Sequence, residues 1–217
     1  MCDNDVHLDP DADPTLRRRL RTAVLVVALL NLAYFFVEIG VAVGIGSVSL
    51  FADSVDFLED TAVNLLIFVA LGFTLRWRSV MGKVMAVIIC VPAVAAAVSL
   101  ILKAGNPEPP DPLSLTVTAG GAVLVNLACA LILARFREHG GSMTTAAFLA
   151  ARNDVLVNVA IIVMGLITAA TLSGWPDIVL GAIIIVLNVS AAKEVWEVAT
   201  EESLAAKALA GEAVDDD

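Results

Sequence analysis

The sequence predicts an all-α integral membrane protein of six transmembrane helices with both termini cytoplasmic, and three observations carry that prediction. Of the 217 residues 59% are hydrophobic, and the mean hydropathy is +0.89, well above soluble domains, in which about half of the residues are apolar. The apolar residues gather into six segments joined by short loops of helix breakers. Lys and Arg collect in alternate loops.

A helix crossing a hydrocarbon core of roughly 30 Å needs about 20 residues, so the chain has room for six crossings and no second soluble domain. The segments run Thr22 to Ile45, Ser49 to Leu75, Val80 to Leu102, Ser114 to Ala134, Met143 to Leu172 and Ile178 to Ala192, the fifth long enough to include an interfacial turn. Gly44, Gly46 and Ser47 separate the first two; Gly105, Asn106, Pro107, Pro109, Pro110 and Pro112 the third and fourth; Ser173, Gly174 and Pro176 the last two. Arg17, Arg18, Arg19 and Arg21 precede the first segment, Arg76, Arg78 and Lys83 lie between the second and third, Arg135 and Arg137 follow the fourth, and Lys193 ends the sixth. The other three loops hold only Lys103, so the positive-inside rule puts both termini in the cytoplasm. The first apolar run exceeds the roughly 7–15 residues of a signal-peptide core and is a retained helix. Residues 1–20 read as an acidic tail with a basic juxtamembrane end, 21–198 as the transmembrane domain and 199–217 as a second acidic tail.

The net charge of −10 resides largely in those tails, which read as solvated runs. No basic, aromatic-interleaved surface points to nucleic acid, and nothing in the pattern points to an enzyme. Cys2, Cys90 and Cys129 lack C-x-x-C spacing, and His7 and His139 fall in a tail and a loop. A site inside the membrane must therefore use oxygen ligands.

The second segment holds Asp53, Asp56, Glu59 and Asp60. An ionisable group at the bilayer centre costs at least ~2.5–3.5 kcal/mol, so such groups are functional candidates by default. At about 100° per residue, Asp53, Asp56 and Asp60 fall within about 60° of one another, and Asn64 joins them a turn further on. Three ionised carboxylates on one face repel in low dielectric and must hold protons or a cation. Aligning Asp60 with Asp154 also aligns Val63 with Val157 and Asn64 with Asn158, a D-x-x-V-N repeat in two helices that run in opposite directions, as in carriers that bind substrate between inverted elements. Asp60 and Asp154 each lie about 11 residues, or ~16 Å, from opposite faces, near the midplane. Asp56, Asp60 and Asp154 are the expected ligands, with Asp53, Asn64, Asn153 and Asn158 in support. Arg152 lies about 160° from Asp154 on the wheel and is expected to pair with Glu59 or Glu38. Asn31, Glu38, Asn126 and Asn188 are expected to hydrogen-bond between helices.

The stretch G-S-V-S-L-F-A-D-S-V-D-F-L-E-D, Gly46 to Asp60, resembles the cation diffusion facilitator family of metal-ion/proton antiporters. That family has six helices and a site formed by His or Asp, three residues, then Asp in the second helix, with H-x-x-x-D in the fifth. Asp56 and Asp60 match the first motif, Asp53 an acid often found three positions before it, and Asp154 the Asp of the second. Asn31, Glu38, Asn126, Pro176 and Asp177 also resemble family positions, and the likeness covers about Arg21 to Val198. It implies a multi-pass plasma-membrane exporter working by alternating access, with a divalent ion (Zn, Mn, Fe, Co or Cd) as cargo, protons as counter-substrate, a homodimer and no prosthetic group.

Two departures bear on this expectation. Ala150 stands where the fifth-helix His belongs, leaving an all-oxygen set that favours Mn²⁺ or another harder ion. The sequence ends soon after the sixth segment, so a short form without the family's soluble C-terminal domain is expected, dimerising within the membrane. The rival reading is a membrane metal sensor or assembly partner that keeps the fold without transport.

Overall fold

The computed structural model describes residues 14–71, 75–136, 141–189, 193 and 200. The ends of both tails, His7, His139, Cys2, Arg137 and residues 190–192 lie outside the described residues, as do the side chains of Arg76, Arg78, Lys83 and Cys90. Among the described residues six helices follow in order: α1 Pro14–Ile45, α2 Val48–Ala70, α3 Leu75–Ala104, α4 Pro112–Ala134, α5 Gly141–Thr171 and α6 Trp175–Val189. By length and composition α1, α4 and the Ala146–Thr171 stretch of α5 can each cross a membrane.

The breakers fall where the sequence puts them. Gly46 takes a φ of +64°, and Ser47 caps α2, its hydroxyl accepting from the Leu50 N–H at 3.2 Å. Asp111 caps α4 ahead of Pro112; its bonds from Ser114, the backbone N–H among them at 2.8 Å, hold the carboxyl below its ordinary value. Helix α1 departs from expectation by starting at Pro14, because nothing between Pro14 and Thr22 interrupts it and Pro suits a first turn. The extra turns have work at the far end of α2: Arg17 Nε donates to the Leu71 carbonyl at 2.9 Å, and the Arg21 guanidinium sits 4.3 Å from the centre of the Phe68 ring.

Helix α2 packs against α1, α3 and α5, and α4 packs against α1 and α5. One apolar cluster, with Leu20, Val24, Val27, Ile67, Cys129, Leu133 and Ala151, fills the end where α1 begins. Another, with Ala42, Leu50, Leu115, Ala119, Ile161, Leu180 and Ile184, fills the end at the α1–α2 turn. Asn31, Asp53, Asp60, Asn64 and Asn158 are buried on the middle stretches of α1, α2 and α5. Large apolar side chains such as Leu29, Phe36, Leu124 and Leu156 face outward, as expected where lipid is the solvent.

Asp177, near the start of α6, ties the turn end together. Its carboxylate accepts from the Val48 N–H (2.8 Å), the Ser49 N–H (3.2 Å) and the Ser47 and Ser49 hydroxyls (2.6 Å each), and pairs with Lys103 of α3 at 3.0 Å. An anion here meets both the free N–H groups and the positive end of the α2 dipole. Close packing makes this possible: a Cβ on Gly181 would come within 2.6 Å of Val48 Cγ1 and 2.9 Å of the Ser49 backbone nitrogen. Gly181→Ala is therefore expected to lower stability in detergent by about 1–3 kcal/mol. Gly44→Ala, which meets nothing within 4 Å, should hold or gain stability, as a helical Gly-to-Ala change does by roughly 0.5–1 kcal/mol. Equal thermal shifts for the two variants would contradict the close α6–α2 approach.

Candidate metal site

The acidic stripe of α2 lies in the groove between α1 and α5. Its contacts with α1 form an antiparallel ladder in which steps of three or four along one helix match equal steps along the other. Asn31 Nδ2 donates to Asp60 Oδ2 at 3.3 Å, the Tyr34 and Phe57 rings meet at 5.1 Å, and the Glu38 and Asp53 carboxyls face each other a turn further on. Behind Asn31, the Cys129 thiol of α4 lies 3.6 Å from its Oδ1 and fixes which way the amide points. Tyr34 is anchored in turn by donating to the Thr118 carbonyl at 2.6 Å.

The contacts with α5 supply the other half. Asp154 of α5 lies close enough to the α2 stripe to interact with Asp56 and Asp60. Asn158 Nδ2 reaches Asp53 Oδ1 at 3.4 Å. The stripe of α2 thus addresses two partners: Asp60 accepts from Asn31 of α1, and Asp53 from Asn158 of α5.

The D-x-x-V-N repeat has a matching geometry in the two helices. Asn64 Nδ2 bonds the Asp60 carbonyl at 2.8 Å, and Asn158 Nδ2 bonds the Asp154 carbonyl at 3.0 Å. Each amide thereby leaves its Oδ1 buried and without a partner, although buried polar atoms are nearly always paired. Two acceptors presented beside carboxylates suit a cation.

Asp53 is fully buried and Asp60 nearly so, whereas Asp56 and Asp154 are half-buried. Among the described residues no three His, Cys, Asp or Glu side chains converge closely enough to hold one ion in common. On its α1 side Asp60 is held by the Asn31 amide. Asn153 is exposed and, among the described residues, makes no hydrogen bond to the acids. Ala150 is half-buried one turn before Asp154.

One expectation is corrected. Arg152 is exposed and forms no ion pair with Glu59 or Glu38 among the described residues. Its α5 face points away from α2, so neither acid is within reach. Glu38 is buried against the Asp53 carboxyl of α2, a contact between helices. Asn188 does bridge helices, donating to the Ala52 carbonyl at 2.8 Å. The residue whose weight the sequence understated is Asp177: a P-D pair opening an apolar segment hints at a cap, but nothing local says that it caps α2.

The family model of the cation efflux transmembrane domain matches residues 24–201, a span that covers α1 from Val24 onward and all of α2 to α6. The chain belongs to the cation efflux family. No curated protein matches the chain. As a cation efflux protein it is a multi-pass membrane protein and a metal-cation transporter of the cation diffusion facilitator kind. Its family consists of transporters, with divalent metal cations as cargo.

Proposed function

We propose that this cation efflux protein exports a divalent metal across the plasma membrane in exchange for protons, with Asp56, Asp60 and Asp154 as the ligands. The observation that supports this most is the acidic face of α2 buried between α1 and α5, with an unpartnered amide oxygen on each of α2 and α5 beside it. Carboxylates facing each other in low dielectric need a positive charge between them, and either a metal or protons can supply it. Exchanging one for the other is an antiport cycle. The basic residues in the first turns of α1 and after α4 orient both termini to the cytoplasm, which makes the α1–α2 turn the outer end. The six-helix body passes through six spans in this reading, and a homodimer would form through its lipid-facing surfaces. Asp60, held by Asn31, is the ligand that swings to complete the set when the ion arrives.

Proteoliposomes loaded with Mn²⁺ and given a pH gradient test the exchange. Flux should rise when protons flow against the metal, and flux indifferent to the gradient would sink the antiport. Selectivity gives a second test. An oxygen-only site lacks the imidazole that suits Zn²⁺, and Ala150→His would place one a helical turn from Asp154. The Zn²⁺/Mn²⁺ transport ratio is expected to rise about tenfold, a discrimination of about 1.4 kcal/mol. An unchanged ratio would mean that position 150 does not face the site.

A further inference from the structure

Arg152 takes no part in the metal site, yet it stands six residues, or about 9 Å, inside the Ala146–Thr171 stretch of α5 that can cross a membrane. It is exposed, and among the described residues it has no ion-pair or hydrogen-bond partner. Leu149, Leu156 and Val159, at three, four and seven residues from it along α5, are exposed on the same stripe. That stripe faces lipid, where a guanidinium without an anion is costly.

The fold says which anion can reach it. Ala151, next to Arg152, belongs to the apolar cluster that holds Leu20 of α1 and Leu133 of α4. Those leucines stand one residue from the exposed Arg19 and two residues from the exposed Arg135, so Arg152 lies near the membrane boundary that these arginines mark. Helical side chains lean toward the helix N-terminus, and α5 begins at this same boundary, so the stem of Arg152 leads its charged head toward the lipid headgroups. Asn153, exposed beside it, adds an amide donor. A second copy of this chain offers no comparable anion, because the described carboxylates of its membrane helices, Glu38, Asp53, Asp56, Glu59, Asp60 and Asp154, are all buried or half-buried. A phosphate does, since its oxygens match the guanidinium fork. Arg18, Arg19 and Arg135, exposed at the same boundary, add a positive field that favours lipids of net negative charge.

We propose that Arg152, with Asn153, binds the phosphate of an anionic phospholipid in the leaflet at which α5 begins. That leaflet is the cytoplasmic one in the orientation of the export reading; the binding itself rests only on the chain being a membrane protein. The bound lipid pins α5 two residues before Asp154, on the helix that brings this carboxylate to the α2 stripe.

Native mass spectrometry of the full-length protein in detergent, titrated with phosphatidylglycerol or with phosphatidylcholine of the same acyl chains, tests this without metal or transport. Wild type should hold phosphatidylglycerol about tenfold more tightly than phosphatidylcholine, and Arg152→Gln should weaken the first phosphatidylglycerol bound by about tenfold, the scale of one hydrogen bond to a charged group. Arg152→Lys keeps the charge without the fork and should keep part of that affinity. Arg19→Gln thins the field without touching the site and should cost less than Arg152→Gln. Because Arg152 has no partner among the described residues, Arg152→Gln should unfold at the wild-type temperature, which separates a lost lipid from a lost fold. Wild-type affinity for phosphatidylglycerol in Arg152→Gln, or equal affinity of wild type for the two lipids, would overturn the site. So would a dimer that dissociates in Arg152→Gln while lipid binding is unchanged, since Arg152 would then belong to a contact with a second copy.

Discussion

Asp60→Ala is expected to abolish metal transport, lowering flux more than about 100-fold, while the protein still folds. Removing a group that merely supports a metal ligand costs 10–100-fold in affinity or activity, and removing a charged ligand should exceed that. The fold should survive because the costs are small and opposed. Loss of the carboxylate orphans the Asn31 amide, which still faces Cys129, at roughly 1–3 kcal/mol. It also relieves repulsion from Glu59 and Asp154. Asp154→Ala should behave alike. Growth of an exporter-deficient host on graded metals reads the outcome, with chromatography in detergent confirming the fold. Rescue by Asp60→Ala equal to wild type would remove Asp60 from the site, and no rescue by wild type for any metal would favour the non-transporting reading.

Asp177→Ala is expected to be the most destabilising single change outside the metal site. It removes the acceptor of two backbone N–H groups and two hydroxyls at the start of α2 and leaves Lys103, whose side chain is only 12% exposed, without its counter-charge. Breaking such a pair by deleting one partner costs about 3–5 kcal/mol, much of it the penalty of the stranded charge. The origin of that penalty gives the test. Lys103→Met should by itself cost less, and the double variant should be more stable than the sum of the two losses, because no charge remains stranded. Thermal unfolding in detergent across the four proteins measures the coupling. Additive losses would mean that Lys103 and Asp177 do not interact. A frayed start of α2 should also weaken metal binding, since Asp53 and Asp56 lie within its first three turns.

Periodicity and composition made much of this protein legible. Six apolar runs, the breakers at Gly46, Pro112 and Ser173 to Pro176, the acidic stripe of α2 and the D-x-x-V-N repeat all follow from the chain read locally. They are legible because a helix places residues three or four apart on one face whatever it packs against. The partners of those faces were decided elsewhere. That Asn31 holds Asp60, that Glu38 meets Asp53, that Asn158 reaches Asp53 across 105 residues and that Asp177 caps a helix 129 residues away depend on the register and rotation of one helix against another. Nearly uniform apolar surfaces leave that register open in the sequence, because leucine packs as well against lipid as against leucine. Arg152 shows the same division: the helical wheel correctly turned it away from Asp154, but only the tertiary packing decided that it faces outward and pairs with neither acid.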